Sequence, residues 1–319
     1  MNLYPLQFYP ILKERIWGGT KLNSVLQKPV VSSTTGESWE LSAVPNDVSV
    51  VSNGAFKGKS LTTIISDFPE EVLGKAVFEK YGFDFPLLFK FIDAREDLSI
   101  QLHPNDVLAK KHHNSLGKTE MWYVMQADEG ARLIVGFKED SNQEEYLQHL
   151  EDKNLIVLLQ EYAVSKGDVF FLETGTIHAI GAGVLIAEIQ QTSDITYRVY
   201  DWDRVDAQGN YRELHTDLAL EALNYTAHTT KIDYSTTVNV PNKLVHCPYF
   251  KTNRIVLNGT VDWKSHEGSF TVFMCTEGEF RFKMNEELYT YSKGDTVLIP
   301  AQIEGFEISG KASVLEIYL

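Results

Sequence analysis

His103, Glu120 and His178 have side chains of the types that bind divalent metals, and each lies at the edge of a predicted strand. Imidazole and carboxylate groups suit zinc or another first-row divalent ion, and Gln101 adds a possible amide ligand. Three protein ligands leave coordination positions for water or substrate, as a catalytic metal site requires. The residues therefore form a candidate catalytic metal site, although a lone histidine on a strand is more often structural.

The stretch Leu98–Pro104 is predicted to be a strand that carries part of this candidate site. Its leucine and isoleucine residues alternate with polar ones, so Gln101 and His103 share the face opposite the core. Pro104 has no N–H to donate to a neighbouring strand, and the ladder is expected to end directly after His103. The imidazole is therefore expected near a rim, where pockets open.

Three cationic residues are candidates for contacts with an anionic ligand: Lys90, Lys118 and Arg198. Lys90 interrupts a strongly apolar run, and a buried ammonium needs an anionic partner or ligand. Arg198 offers a planar fork of donors, which suits a developing oxyanion or a phosphate. The structural alternative for Arg198 is an ion pair with Glu188 or Asp194 that only braces the fold.

The composition limits the classes of partner. The chain has 319 residues and a formal charge of −15, which argues against nucleic acid or an anionic membrane as a partner. A small anionic substrate stays possible, because screening over about 8 Å lets local cations dominate a pocket. No apolar run approaches the roughly 18 residues of a membrane span, and no export signal is visible at the start.

The cysteine content favours a reducing compartment. Cys247 and Cys275 are the two cysteines of the sequence, and they lack the CxxC spacing of a zinc ribbon. We therefore expect a cytoplasmic protein. The sequence does not establish its oligomeric state.

A short motif occurs twice and predicts two β-modules of similar plan. Lys166-Gly-Asp168 and Lys293-Gly-Asp295 each precede an apolar strand, and Glu129-Gly130 and Glu277-Gly278 are predicted to end the strand before each motif. When the two copies are aligned on these motifs, Gly268 takes the position of Glu120 and Gly305 takes the position of His178. The second copy is therefore predicted to be structural and free of metal.

The predicted architecture is mainly β, with two β-barrel modules and helical insertions. Residues 1–238 form the metal-binding module and residues 239–319 form the second one. Helical periodicity places inserts at about 61–82, 141–159 and 212–225. A barrel in the first module would bring the separated metal-binding candidates together.

Four motifs occur in an order that resembles one family: Ser99-Ile-Gln-Leu-His-Pro104, Lys118-Thr-Glu120, Thr176-Ile-His178 and Asp194-Ile-Thr-Tyr-Arg198. Together they resemble the type I mannose-6-phosphate isomerases (phosphomannose isomerases), specifically the short bacterial form. The resemblance extends from Trp17-Gly-Gly19 to the C-terminus. It implies a pair of cupin jelly rolls with helical inserts.

The resemblance also implies roles for individual residues. His103, Glu120 and His178 match the ligands of one zinc ion per chain, and Gln101 matches a further ligand seen in longer members. Arg198 matches the catalytic arginine of the family.

One motif departs from the pattern of the longer members. They usually show Lys-Pro-Glu where this chain has Lys118-Thr119-Glu120. Both charged groups are kept, so the difference concerns the local backbone.

The implied reaction interconverts mannose 6-phosphate and fructose 6-phosphate, most simply through a cis-enediolate. A divalent ion near O1 and O2 would stabilise the oxyanion while a base carries a proton between C2 and C1. Glu188, Asp194 and Lys118 are all possible bases. Lys118, Lys90 and Glu188 are candidates for binding the phosphorylated sugar.

Two other functions fit part of the pattern. A site with two histidines and one carboxylate on a cupin could bind Fe(II) and activate oxygen, but an oxygenase has no need of clustered cations. A non-catalytic sugar-phosphate sensor could keep the same pocket, but it would not need the full ligand set and Arg198.

Overall fold

The structure is a computed structural model that describes residues 3–205, 208–284 and 287–319. Its strands, in chain order, are β1 (Ile11–Gly19), β2 (Thr35–Leu41), β3 (Ala43–Val44), β4 (Asp47–Val48), β5 (Leu87–Ala94), β6 (Ile100–Leu102), β7 (Glu120–Ala127), β8 (Arg132–Phe137), β9 (Leu159–Ala163), β10 (Val169–Leu172), β11 (His178–Ile180), β12 (Val184–Gln191), β13 (Tyr197–Tyr200), β14 (Lys231–Ile232), β15 (Pro241–His246), β16 (Lys251–Lys264), β17 (Thr271–Met284), β18 (Glu287–Ser292), β19 (Thr296–Ile299) and β20 (Gly305–Tyr318). The chain is mainly β, as predicted.

The helices are short and lie between the strands. They are α1 (Lys21–Ser24), α2 (Leu61–Asp67), α3 (Pro69–Leu73), α4 (Lys75–Tyr81), α5 (Asp106–His113), α6 (Gln143–Glu151) and α7 (Thr216–Ala222), with a 3-10 turn at Leu155–Leu158. Side-chain caps fix three helix starts, because Ser60 accepts from the Thr63 N–H, Asn105 from the Leu108 N–H and Asn142 from the Glu145 N–H. No helix in the described parts of the chain is long and apolar enough to cross a membrane.

Two antiparallel sheets, here called the N-terminal sheets, are built from the strands β1 to β14, except for the small β3–β4 pair. The larger has the strand order β1-β2-β5-β12-β7-β10-β14, and the smaller has the order β13-β6-β11-β8-β9. One apolar cluster joins them, since Trp122 and Phe170 of the larger sheet pack with Leu133 and Val135 of the smaller. The candidate metal ligands therefore come from strands of two sheets that share a core.

A third sheet, here called the C-terminal sheet, has the order β15-β16-β20-β17-β18, with β19 paired to β17. The helical insert α3–α4 lies against it, because the Phe270 N–H donates to the Leu73 carbonyl and the Val77 N–H donates to the Gly268 carbonyl. Phe85 and Phe270 pack with ring centroids 4.8 Å apart. The N-terminal and C-terminal sheets are thus held together by both hydrogen bonds and apolar contacts.

The repeated motif has a different register from the one expected from the sequence. Leu172 of β10 lies opposite Glu120, and the equivalent Ile299 of β19 lies opposite Thr271. Thr271, not Gly268, is therefore the counterpart of Glu120, and the prediction for Gly268 is wrong.

The Glu-Gly pairs explain the error. Glu129-Gly130 follows β7 in a turn, whereas Glu277-Gly278 lies inside β17 beside a bulge. Aligning the two pairs shifts the register of the strands.

The last helix is shorter than the stretch 212–225 expected from its periodicity. Only Thr216–Ala222 is helical, and the residues just before it run beside β13. There the His215 N–H donates to the Arg198 carbonyl, and the Arg198 N–H donates to His215 Nδ1. These two bonds keep Arg212, just upstream, outside the helix and near β13.

Candidate active site

The fold brings His103, Glu120 and His178 together at the ends of three strands. His103 follows β6, Glu120 begins β7 and His178 begins β11, where it pairs with Gln101 of β6. The Nε2 atoms of His103 and His178 lie 3.5 Å and 3.6 Å from the carboxylate oxygens of Glu120. One ligand atom from each residue lies within 4.8 Å of the others, and all three residues are buried.

Backbone carbonyls orient both imidazoles. His103 Nδ1 lies 2.8 Å from the Ile195 carbonyl oxygen, and His178 Nδ1 lies 2.9 Å from the Thr176 carbonyl oxygen. A carbonyl oxygen only accepts, so in each ring Nδ1 carries the proton and donates it. The lone pair of each Nε2 therefore faces Glu120, as metal coordination requires.

Burial keeps both imidazoles neutral. It lowers the pKa of His178 to about 4, and burial together with the Lys118 charge holds the pKa of His103 well below its usual value. Burial raises the pKa of Glu120 to about 7, although the Lys118 ammonium acts in the opposite direction. The site thus offers two neutral nitrogen ligands and a carboxylate that titrates near neutrality.

The arrangement fits a divalent cation. Glu120 Oε1 is buried without a hydrogen-bond partner among the described residues, whereas Oε2 forms an ion pair with Lys118 Nζ at 3.0 Å. The separations of 3.5 Å and 3.6 Å resemble the roughly 3.4 Å between neighbouring ligands of a tetrahedral zinc. The Gln101 amide lies 3.4 Å from His178 Nε2, so a half-turn of this amide would present its oxygen to the same place.

Lys118 lies directly beside the cluster. Its ammonium is 3.0 Å from His103 Nε2 and 3.0 Å from Glu120 Oε2. Burial alone would lower the pKa of Lys118, but the charges of Glu120 and Glu188 outweigh burial and raise it. The side chain is therefore a buried cation in contact with two candidate metal ligands.

A cavity of about 490 Å³ opens next to these residues, and Gln101 and Lys118 line it. On its floor, Glu188 accepts hydrogen bonds from Lys90 Nζ at 3.0 Å and from Trp122 Nε1 at 2.9 Å. Burial would raise the pKa of Glu188, but the charges of Lys90 and Lys118 outweigh it and lower the pKa to about 2. Lys90 therefore has the anionic partner that its burial demands.

Arg198 also lines the cavity, from β13, where it pairs with Gln101 of β6. Its Nη1 donates to the Glu213 carbonyl at 2.9 Å, and its Nε is buried without a hydrogen-bond partner in the described chain. Among the described residues it forms no ion pair with Glu188 or Asp194. The bracing ion pair considered for Arg198 is therefore not formed.

Comparison with known proteins identifies the family. Residues 5–131 match the catalytic domain of type I phosphomannose isomerase, and residues 241–319 match the cupin domain of mannose-6-phosphate isomerase. The chain is 37% identical to the mannose-6-phosphate isomerase ManA of Bacillus subtilis over 100% of both chains. The chain belongs to the type I phosphomannose isomerase family. The predicted resemblance and the prediction of an isomerase are thereby confirmed.

Two further relatives of the family support this result. A mannose-6-phosphate isomerase of Streptococcus mutans is 36% identical over 98% of this chain and 97% of its own length. The crystal structure of the mannose 6-phosphate isomerase from Bacillus subtilis superposes with a TM-score of 0.91 at 34% identity, covering 99% of this chain and 100% of that one. The predicted cupin-type fold with helical insertions is confirmed, although the described strands do not close into a continuous barrel.

The departure from the Lys-Pro-Glu pattern of longer phosphomannose isomerases has a local explanation. The Thr119 N–H donates to Gln191 Oε1 at 2.9 Å, a bond that proline could not form. The threonine thus ties the start of β7 to the end of β12.

Other charged residues near the candidate active site were missed in the sequence. Lys13 and Arg15 alternate with other residues along β1 and line the cavity, in ion pairs with Asp47 and Glu37. The period-two pattern of β1 could have revealed them. Arg212 also lines the cavity, but the helical interpretation of its surroundings hid it.

Proposed function

We propose that this chain interconverts mannose 6-phosphate and fructose 6-phosphate with one bound zinc ion. His103, Glu120 and His178 would hold the ion, and Gln101 would add its amide oxygen. The observation that carries the proposal is the buried cluster of two oriented imidazoles and one carboxylate beside a cavity. The full-length similarity to mannose-6-phosphate isomerases supports the same substrate.

The reaction moves a proton between C2 and C1, and we propose a cis-enediolate as its intermediate. Zinc, when bound, supplies positive charge that stabilises the oxyanions on O1 and O2. Lys118, as an ammonium, is placed to donate a hydrogen bond to a substrate oxygen. Lys90 and Trp122 hold Glu188 in its charged form on the cavity floor.

The three candidate bases differ in their surroundings. Glu188, with a pKa of about 2, is a weak base near neutral pH, and Lys118, with a raised pKa, is protonated there. Asp194 lines the cavity and is exposed, without an ion pair among the described residues. Asp194 thus stays a candidate for the base on geometry. Arg198 is the proposed catalytic arginine, which either stabilises the developing negative charge or holds the sugar phosphate.

We further propose that residues 1–238 form the catalytic module and residues 239–319 a metal-free one. Thr271, which is buried, takes the place of Glu120 in the second copy of the motif. The described residues contain one cluster that could hold a metal through three His, Cys, Asp or Glu side chains, and it lies in the first module.

The test is a coupled assay of mannose 6-phosphate conversion by zinc-loaded protein, with metal analysis of the same sample. We expect about one zinc per chain and loss of turnover on chelation, restored by zinc. Glu120→Gln should lose both zinc and turnover, because the amide lacks the ligand charge. His112→Asn is the control, since His112 bonds Glu221 at the surface.

Other outcomes separate the rival functions. Zinc-loaded protein that binds mannose 6-phosphate without converting it would identify a sensor. Bound iron with consumption of oxygen would identify an oxygenase and contradict the isomerase proposal.

A further inference from the structure

Two arginines hold one buried aspartate, and one of the two, Arg212, lines the cavity. Arg212 donates through Nε to Asp201 Oδ2 at 2.6 Å and through Nη2 to Oδ1. Arg204 donates through Nη2 to Asp201 Oδ1 and through Nη1 to the Asp97 carbonyl at 2.7 Å. Asp201 is 5% exposed, so this carboxylate is a fixed anchor for two guanidinium groups.

Arg198 completes the group, which we call the arginine cluster: Arg198, Arg204 and Arg212 with Asp201. Arg198 and Arg212 line the same cavity, and Arg198 Nη1 donates to the carbonyl of Glu213, the residue next to Arg212. Three positive charges against one negative charge leave an excess of two. A phosphate monoester carries a charge of roughly −1.5 to −2 near neutral pH, which matches this excess.

The nearby acids do not cancel the excess. Glu213 and Asp194 are exposed, so water and salt screen their charges. The described residues contain no ion pair of Arg198, and its buried Nε lacks a partner. A buried donor without a hydrogen bond destabilises the folded protein unless a ligand accepts from it.

The position of the cluster suits the far end of the substrate. Arg198 and Arg212 both line the cavity that Gln101 lines at the candidate metal site. The Arg198 guanidinium is directed to the 212–215 segment, because its Nη1 donates to the Glu213 carbonyl. The reacting carbons of a hexose 6-phosphate and its phosphate lie at opposite ends of the sugar chain, so one molecule can contact both groups.

We propose that Arg212 is a specificity-determining residue, which with Arg198 binds the phosphate of the substrate, and that Asp201 is the positioning residue that holds Arg212. This inference rests on the proposed function for the identity of the sugar. Two guanidinium groups offer the paired donors that phosphate oxygens accept. Arg204 holds Asp201 from the other side and is not itself in the cavity lining.

The first experiment compares Arg212→Gln and Arg212→Lys with the wild-type protein in steady-state kinetics. We expect Arg212→Gln to raise KM for mannose 6-phosphate by about 10- to 100-fold, with kcat changed by less than about threefold. Arg212→Lys should recover part of the loss because it restores the charge. Arg95→Gln is the control, since Arg95 pairs with Glu96 at the surface.

Inorganic phosphate serves as a probe that does not depend on turnover. Its affinity, measured by calorimetry on zinc-loaded protein, should fall in Arg212→Gln by a factor similar to the rise in KM, with unchanged zinc content. Unchanged phosphate affinity, or an equal loss of affinity for unphosphorylated mannose, would overturn the assignment. If the wild-type protein binds phosphate in this way but does not convert the sugar, the proposed function fails and the phosphate site stands.

Asp201→Asn separates orientation from net charge. If Asp201 acts by holding Arg212, phosphate binding weakens when the carboxylate is removed. If the site acted only through its net charge, removal of a negative charge would tighten phosphate binding. Tighter or unchanged binding in a folded Asp201→Asn protein would therefore refute the positioning role, and thermal unfolding checks that the variant is folded.

Discussion

The ammonium of Lys118 lies 3.0 Å from His103 Nε2, the same nitrogen whose lone pair faces the candidate metal site. One lone pair accepts a hydrogen bond or coordinates a metal, but it cannot do both. The same ammonium lies 3.0 Å from Glu120 Oε2. Metal binding through His103 Nε2 therefore has to break its contact with Lys118, and the positive charge of Lys118 opposes a second cation.

Lys118→Met should bind zinc about tenfold more tightly than the wild-type protein. The ammonium attracts the Glu120 carboxylate and repels a zinc ion, and its removal abolishes both interactions. The lost repulsion is the larger of the two, because zinc carries two charges and the carboxylate one. Competition with a chromogenic chelator near pH 8 measures the zinc affinity directly. Lys59→Met serves as the control, since Lys59 pairs with Asp67 at the surface. Weaker zinc binding in Lys118→Met would show that Lys118 supports the metal site.

Local pattern was sufficient to predict several of the residues that the fold brings together in the candidate metal site. Gln101 and His103 alternate with apolar residues and precede a proline, so their face and the end of their strand follow from backbone chemistry. The identity of the neighbours did not follow. Lys90 needs an anion, but only the pairing of β5 with β12 selects Glu188 as that anion.

Two predictions differ from the structure in features that depend on tertiary contacts. The period of the stretch 212–225 favours a helix, but the bonds between His215 and Arg198 keep its first residues extended. The assignment of Gly268 failed because the bulge in β17 cannot be read from residue types alone. Arg212 was missed for the first of these reasons, whereas Arg198 was among the predicted residues.

Glu316 gives a prediction for the pH dependence of stability in the C-terminal sheet. It is 1% exposed and accepts hydrogen bonds from Asn253 Nδ2 at 2.8 Å and from Trp263 Nε1 at 2.6 Å, with His266 Nε2 at 3.1 Å. Burial would raise its pKa, but these neighbours outweigh burial and lower the pKa below 4.5. The stabilisation is therefore present above about pH 4.5 and is lost as the pH falls through the folded-state pKa.

Glu316→Gln should lower the free energy of unfolding by about 1–3 kcal/mol near pH 7, because the charged acceptor is lost. The difference from the wild-type protein should shrink as the pH falls through the folded-state pKa of Glu316, because the wild-type carboxyl then also becomes neutral. Urea unfolding at several pH values measures both effects. Glu79→Gln, in an exposed pair with Lys75, is the control. A difference that does not change with pH would contradict this account of Glu316.

Lys28 joins the N-terminal sheets to the turn of the second Lys-Gly-Asp motif. Its ammonium donates to Glu40 Oε2 at 2.6 Å and to the Gly294 carbonyl at 2.7 Å, and both charged side chains are buried. Lys28→Met should lower the free energy of unfolding by about 3–5 kcal/mol, because it leaves the Glu40 carboxylate buried without its cation. Chemical denaturation measures the loss.

The double variant Lys28→Met/Glu40→Leu tests the cause of that loss. Removing the second charge also removes the unpaired carboxylate, so the double variant should be more stable than Lys28→Met alone. Lys59→Met, from an exposed pair, should change the free energy of unfolding by less than about 1 kcal/mol. If Lys28→Met changed the free energy of unfolding as little as Lys59→Met does, the buried pair would not stabilise the contact between the sheets. If the double variant were the less stable one, the loss would come from packing and not from the unpaired charge.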